Sequence, residues 1–304
     1  MGGILYDRAG IIAVFGVATG ILAVDLIMRL LVIDNEIATE SNGSRSDERS
    51  NERDSQTRAG PGEAEACEDD ALLPKNSNEQ YKIHGDLGSL AQAIPVLYCF
   101  GEPRLLMALL LSFVHASLIG IFDATVPTEA ESLFHFSSLK VGLLFIALVV
   151  PNLALGHLAG LAVDRHGTKV VATAGYGFLV PCLVLLGLPS QGVVTGDSNV
   201  ILFCVVLALN GIGLSIVGSP GFVEANDVIQ KYEAANPGFF GENGPYAQLY
   251  GFNLLFYFAG LTVGPLLGGM LRSNFGYEIM AVMFAALSGV TAILSFLIIG
   301  EKRK

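Results

Sequence analysis

Seven apolar runs, each about as long as a bilayer-crossing helix, limit what this chain can fold into more than any other feature. A helix needs about 20 mostly apolar residues to cross the hydrocarbon core. Runs of that kind lie near 11–33, 105–126, 139–161, 169–189, 199–219, 248–270 and 278–299. Only 15% of the 304 residues are charged, against roughly 25% in a soluble domain. The chain therefore reads as an all-α membrane protein with seven transmembrane helices. The remaining polarity is concentrated. About half of the 28 acidic residues fall between Asp34 and Glu102. That stretch (34–104) has a core, NGSRSDERSNERDSQTRAGPGEAEACEDD, that cannot bury enough apolar surface to fold alone and reads as a disordered linker. The second sizeable connection, 220–247, is rich in Pro and Gly and reads as a loop, with room for a short interfacial helix at 222–232.

Glycine spacing then orders the spans. In GLTVGPLLGGMLRSNFG (260–276), Gly260, Gly264 and Gly268 are four apart, which makes one smooth helix strip that a neighbouring backbone can approach. Pro265 lies inside that run, where a transmembrane helix needs internal compensation to keep it. The start of the chain repeats the pattern. Gly2-Gly3-Ile4-Leu5 and Gly10 match Gly268-Gly269-Met270-Leu271 and Gly276 at one constant offset, and a long apolar run follows each copy. If 278–299 ends one bundle, 11–33 ends another. The six runs from 105 onward make one complete half, and five helices are expected upstream of the first.

Basic residues set the orientation. Placing the linker and the C-terminus in the cytoplasm puts Arg165, Lys169, Lys231, Lys302, Arg303 and Lys304 there, and leaves Arg8, Lys140 and Arg272 opposite. The N-terminus is then outside. Dispersed basic residues leave no nucleic-acid footprint. Cys67, Cys99, Cys182 and Cys204 have no ligand spacing, and no metal motif, cofactor motif, nucleophile elbow or phosphate loop occurs, so an enzyme is not expected.

Gly156-x-x-x-Gly160-x-x-x-Asp164-Arg165-x-Gly167-x-Lys169 stands at the turn between the third and fourth runs. The two glycines predict close helix packing. Asp164, unfavourable at a helix C-terminus, calls for a partner such as Arg165 or a facing helix N-terminus. At these residues the chain resembles the major facilitator superfamily, whose members have twelve spans in two six-helix halves. Gly160, Asp164, Arg165, Gly167 and Lys169 match its signature loop in the second-half position. Gly260, Gly264, Pro265, Gly268 and Gly269 look like its antiporter motif. FDATVPTEA (122–130), LKVGLLFIALVVPNLALGHLAG (139–160) and YGFLVP (176–181) resemble fungal drug:proton antiporters related to vesicular amine transporters. The resemblance implies a remnant last helix of the first half (1–33), a cytoplasmic linker (34–104) and a complete C-terminal half (105–304). It implies export of small organic compounds against protons, in a plasma or vacuolar membrane. The alternatives are a transport-inactive fragment, whose incomplete bundle would self-associate, and a seven-helix receptor, which the internal repeat and the place of Asp164-Arg165 disfavour.

Ionisable and amide groups inside apolar runs are candidate pathway residues by default. His115 and Asp123 share a helix face, two turns apart, and suit a proton or cation path. The competing role for Asp123 is as cap of an outer loop at 126–132. Asn152 beside Pro151, and Asn210, must find buried partners or contact substrate. Asn253 and Tyr257 share a face and offer an amide and a ring to an organic ligand. Asp25 and Arg29 read as an internal salt bridge. Glu224 and Asp227 are expected to be solvated or paired with the signature loop.

Overall fold

The computed structural model describes residues 12, 13, 15–28, 81, 82, 95–192, 196–240 and 244–299. The chain divides into two compact units, Met1–Pro74 and Lys75–Lys304. In the first, α1 (Phe15–Met28) is apolar but shorter than a span, and its side chains are exposed. The repeat at Gly2–Gly10, Arg29, Asn42 and the charged core of the linker lie outside the described residues. Asp25 is exposed on α1, so the expected Asp25–Arg29 bridge falls partly outside them as well.

The second unit is helical throughout its described residues. A 3₁₀ turn at Pro95–Gly101 leads into α2 (Pro103–Phe134), α3 (Ser138–His166), α4 (Thr168–Leu186), α5 (Asp197–Val217), α6 (Pro220–Ala235), α7 (Tyr246–Phe275) and α8 (Tyr277–Ile298). Six of these segments, those built on α2, α3, α4, α5, α7 and α8, are long and apolar enough to cross a bilayer. They expose rows of Leu, Ile, Val and Phe, such as Leu143, Val150 and Leu153 on α3 and Val290, Ile293 and Leu297 on α8. Such surface is suited to lipid and foreign to a soluble monomer. The protein is thus a multi-pass membrane chain, with six full spans and one shorter apolar helix among the described residues.

Glycine sets the closest approaches. α2 and α7 lie side by side and parallel, since Gly260 faces Phe113, Gly264 faces Ser117 and Gly268 faces Ile121 in the same order. A Cβ at Gly260 or Gly264 would run into the backbone carbonyl of Phe113 or Ser117. Pro265 fills the matching notch at Gly120, so the expected smooth strip is the seam of this pair. α3 packs on α5, and α4 on both α5 and α8. The Tyr176 hydroxyl donates to the Leu111 carbonyl at 2.8 Å, and Ser288 donates to the Tyr176 carbonyl at 3.0 Å. These bonds tie α2, α4 and α8 around the main core.

Three expectations need correction. Val126–Ser132 is not an outer loop. α2 runs on through Pro127 to Phe134, and the Thr128 hydroxyl donates to the Thr125 carbonyl at 2.9 Å beside the proline. Asp123 therefore caps nothing. Gly156 and Gly160 do not mediate close packing, because a Cβ at either would meet nothing within 4 Å. The 220–247 connection is mostly ordered helix. α5 passes into α6 through Gly218 and Ser219, both with right-handed helical backbone, and α6 buries Gly221, Ala225, Val228 and Ile229. The short helix for which 222–232 had room is thus present, longer at both ends and packed by a buried face. The end of the linker is packed too: Tyr81, Val96 and Cys99 are buried in a second cluster with α2, α6 and α7.

Candidate functional site

Charged side chains gather at the two ends of the bundle, and isolated polar ones lie between. At the end nearest the linker, Arg104 enters from the first turn of α2. Its Nε donates to Glu224 at 2.8 Å, and its Nη2 lies 2.6 Å from Glu224 and 3.0 Å from Asp227. The Thr168 hydroxyl, at the start of α4, donates to the other Glu224 oxygen. Lys231 sits 3.1 Å from Asp227, one turn along α6. The Glu224 side chain is 1% exposed and that of Arg104 10%. Burial at that depth costs several kcal/mol per ion unless hydrogen bonds replace water, and here each partner has them. Glu224 thereby joins α2, α4 and α6, and through Thr168 it touches the signature loop, as one of the two expected outcomes had it. Asp227 is instead half-exposed.

The signature loop itself is arranged differently from the expectation. Gly167 turns the chain with φ 82°, a left-handed value that suits glycine. Asp164 and Arg165 are exposed, and among the described residues Asp164 makes no ion pair. Lys169 lies over the Phe296 ring, 4.7 Å from its centroid, linking α4 to the end of α8 by a cation–π contact.

Midway along the bundle, His115 meets Tyr257 edge to face, with ring centroids 6.2 Å apart. A Cβ on Gly218 would come within 3.4 Å of His115 Cε1, so the imidazole is held between α7 and the end of α5. Asp123 is exposed two turns further along α2 and lies within electrostatic reach of Tyr257. His115 and Tyr257 are the sequence-predicted residues that the fold brings into contact. Asn253, one turn before Tyr257, is 1% exposed, and neither atom of its amide has a partner. Asn210 is spent differently. Its Nδ2 donates to the Cys182 carbonyl of α4 at 3.0 Å and to the Val206 carbonyl at 2.9 Å, with Oδ1 left unpartnered. Asn152 is half-buried beside Pro151 on α3.

At the opposite end, Arg272 of α7 pairs with Glu129 of α2 at 3.0 Å, and its Nη2 donates to the Thr128 carbonyl at 3.2 Å. A hollow of about 510 Å³ opens beside this pair, lined also by Ser190, Tyr277 and Glu278. Sequence reasoning missed the pair, because Glu129 had been assigned to a loop. The available signal was its setting between Val126 and Ala130, an apolar helical face in which a carboxylate requires a cation.

Comparison with known proteins agrees with this architecture. A model of the Major Facilitator Superfamily matches residues 1–241 and again 108–304. The MFS-type transporter ppzB of Metarhizium majus is 59% identical over 310 aligned positions, covering all of this chain and 68% of the relative. Its namesake in Metarhizium rileyi is 58% identical, covering all of this chain and 65% of the relative. An uncharacterized MFS-type transporter of Schizosaccharomyces pombe is 34% identical across 91% of this chain and 57% of its own length. The chain thus spans between 57% and 68% of these relatives. With the glycine-seamed helix pairs and the matched family model pointing the same way, this chain belongs to the Major Facilitator Superfamily, a family of transporters and not of enzymes.

Proposed function

We propose that the chain serves proton-coupled export of small organic compounds by alternating access, with its six long helices acting as one half of a two-half bundle. The observation that carries this reading is the polar set on α2 and α7. His115 and Tyr257 meet, and Asp123 lies two turns from His115 on α2, all inside apolar helices, where a group without a task would cost several kcal/mol. In this reading Asp123 exchanges the proton, and His115 and Tyr257 shape the path beside it. Asn253 supplies an amide that a ligand can satisfy. Asn210 holds α4 against α5, and Asn152 borders the path from α3. The signature-loop residues and the Gly260–Gly269 seam set helix geometry. Residues 1–33, 34–104 and 105–304 are read as the last helix of the other half, the linker and this half. The linker and C-terminus lie in the cytoplasm, and the membrane is the plasma or a vacuolar one.

The test is Asp123→Asn in a transporter that supplies both halves. Proton-driven efflux should be abolished while abundance in the membrane stays near normal. Unchanged efflux would remove Asp123 from the mechanism.

A further inference from the structure

α6 and the start of α7 form a groove that the end of the linker fills. Tyr81 is 5% exposed. Its ring stands edge-on to Tyr232 at 5.1 Å, its carbonyl accepts from Asn236 Nδ2 at 2.8 Å, and its hydroxyl accepts from Arg104 Nη1 at 3.4 Å. A second piece of the same segment is seated on α7. The Val96 N–H donates to Gln248 at 3.4 Å, and Phe100 packs on Phe252 at 5.0 Å. Within this second piece Cys99 is wholly buried, and burial pushes its thiol up to about 12.

The contact with Arg104 is unusual in what it leaves behind. When Tyr81 leaves, Glu224 and Asp227 remain on the guanidinium, so no buried charge is stranded. The hydrogen bonds lost are few and neutral except for one, and an opening of that size belongs to the low end of local unfolding free energies. α6, by contrast, is tied to α5 by continuous backbone, to α4 through Thr168 and to α2 through Arg104. Any change in the angle between those helices at this end must displace α6, and with it one wall of the groove.

We propose that this groove is a docking site for the chain's own linker end, with Tyr81 as its key residue, and that docking and release accompany rearrangement of this end of the bundle. The seated linker clamps α6 onto α2 and α7. Release loosens the clamp without breaking the Arg104–Glu224 pair. The docking role goes beyond the export reading and stands whatever the substrate is, while its link to rearrangement rests on the proton coupling of that reading.

Cys99 is a built-in reporter. In the full chain with Cys67, Cys182 and Cys204 replaced by alanine, Cys99 is labelled with a membrane-impermeant maleimide applied to the linker side. Tyr81→Phe keeps the ring contact and should speed labelling about threefold. Tyr81→Ala and Asn236→Ala should speed it about tenfold or more. The thermal unfolding midpoint, set by the main core, should stay within a few degrees of the parent. Labelling of the parent should also rise when a proton gradient is imposed across the membrane. Wild-type labelling rates in Tyr81→Ala and Asn236→Ala would overturn the docking role. Faster labelling seen only together with a lowered midpoint would also overturn it, since the segment would then be ordinary core. Parent labelling indifferent to the gradient would overturn the link to rearrangement.

Discussion

Glu224 holds a guanidinium with one oxygen and a threonine hydroxyl with the other, in a place where its side chain is 1% exposed. Removing one member of such a pair strands the other. Arg104→Met alone leaves Glu224 without its cation and should lower stability by about 3–5 kcal/mol, whereas Arg104→Met combined with Glu224→Leu should cost far less. Thermal unfolding of the detergent-solubilised protein reads both. Equal losses in the single and double variants would show that the pair contributes through something other than mutual neutralisation. The same residues mark how far single positions were legible. His115, Asp123 and Tyr257 stood out because a polar letter in an apolar run is conspicuous, and the fold brings His115 and Tyr257 into contact. Glu129–Arg272 and Arg104–Glu224 were not legible as pairs. Their members lie more than a hundred residues apart in sequence, and nothing local announces which acid meets which base. Asn210 was visible as a buried amide, but only the α4–α5 register shows that the Cys182 carbonyl takes its proton.

Among the helices, backbone proximity separates two glycine patterns that look alike as text. Gly260 and Gly264 press on the α2 backbone, while Gly156 and Gly160 have open space around them. Gly264→Ala should therefore destabilise the bundle by about 1–3 kcal/mol or more through overpacking. Gly156→Ala should be neutral or slightly stabilising within this unit. Abundance and thermal midpoint measured side by side decide it, and equal effects would contradict the assigned seam. Helix ends were the least legible part of the fold. Pro127, Thr128 and two glutamates punctuate 126–132 like a loop, yet the helix runs on through Pro127 and Arg272 neutralises Glu129 from another helix. α6 was legible as a short helix at 222–232, but its burial was not, since its buried acid is paired only in three dimensions.

At the scale of the whole molecule, six long apolar helices, their order and their membrane setting could be read directly from run length, because hydrocarbon thickness leaves little freedom. The packing of α2 on α7 was foreshadowed by the four-residue glycine spacing. The docking of the linker end was not, because polar neighbours hide Tyr81 and the apolar stretch around Cys99 is too short for a span. Orientation has a simple check in Asn42-Gly43-Ser44, the glycosylation sequon in the linker. With the linker in the cytoplasm, Asn42 stays unmodified in a eukaryotic host, and a glycosidase-sensitive mass shift there would reverse the orientation. The most direct test of the transport account is proton flux itself. A transporter supplying both halves, reconstituted in vesicles under an imposed pH gradient, should show saturable proton movement that depends on organic substrate. That flux should collapse with a protonophore and be absent in Asp123→Asn. Substrate movement that continues unchanged after the gradient is dissipated would contradict it.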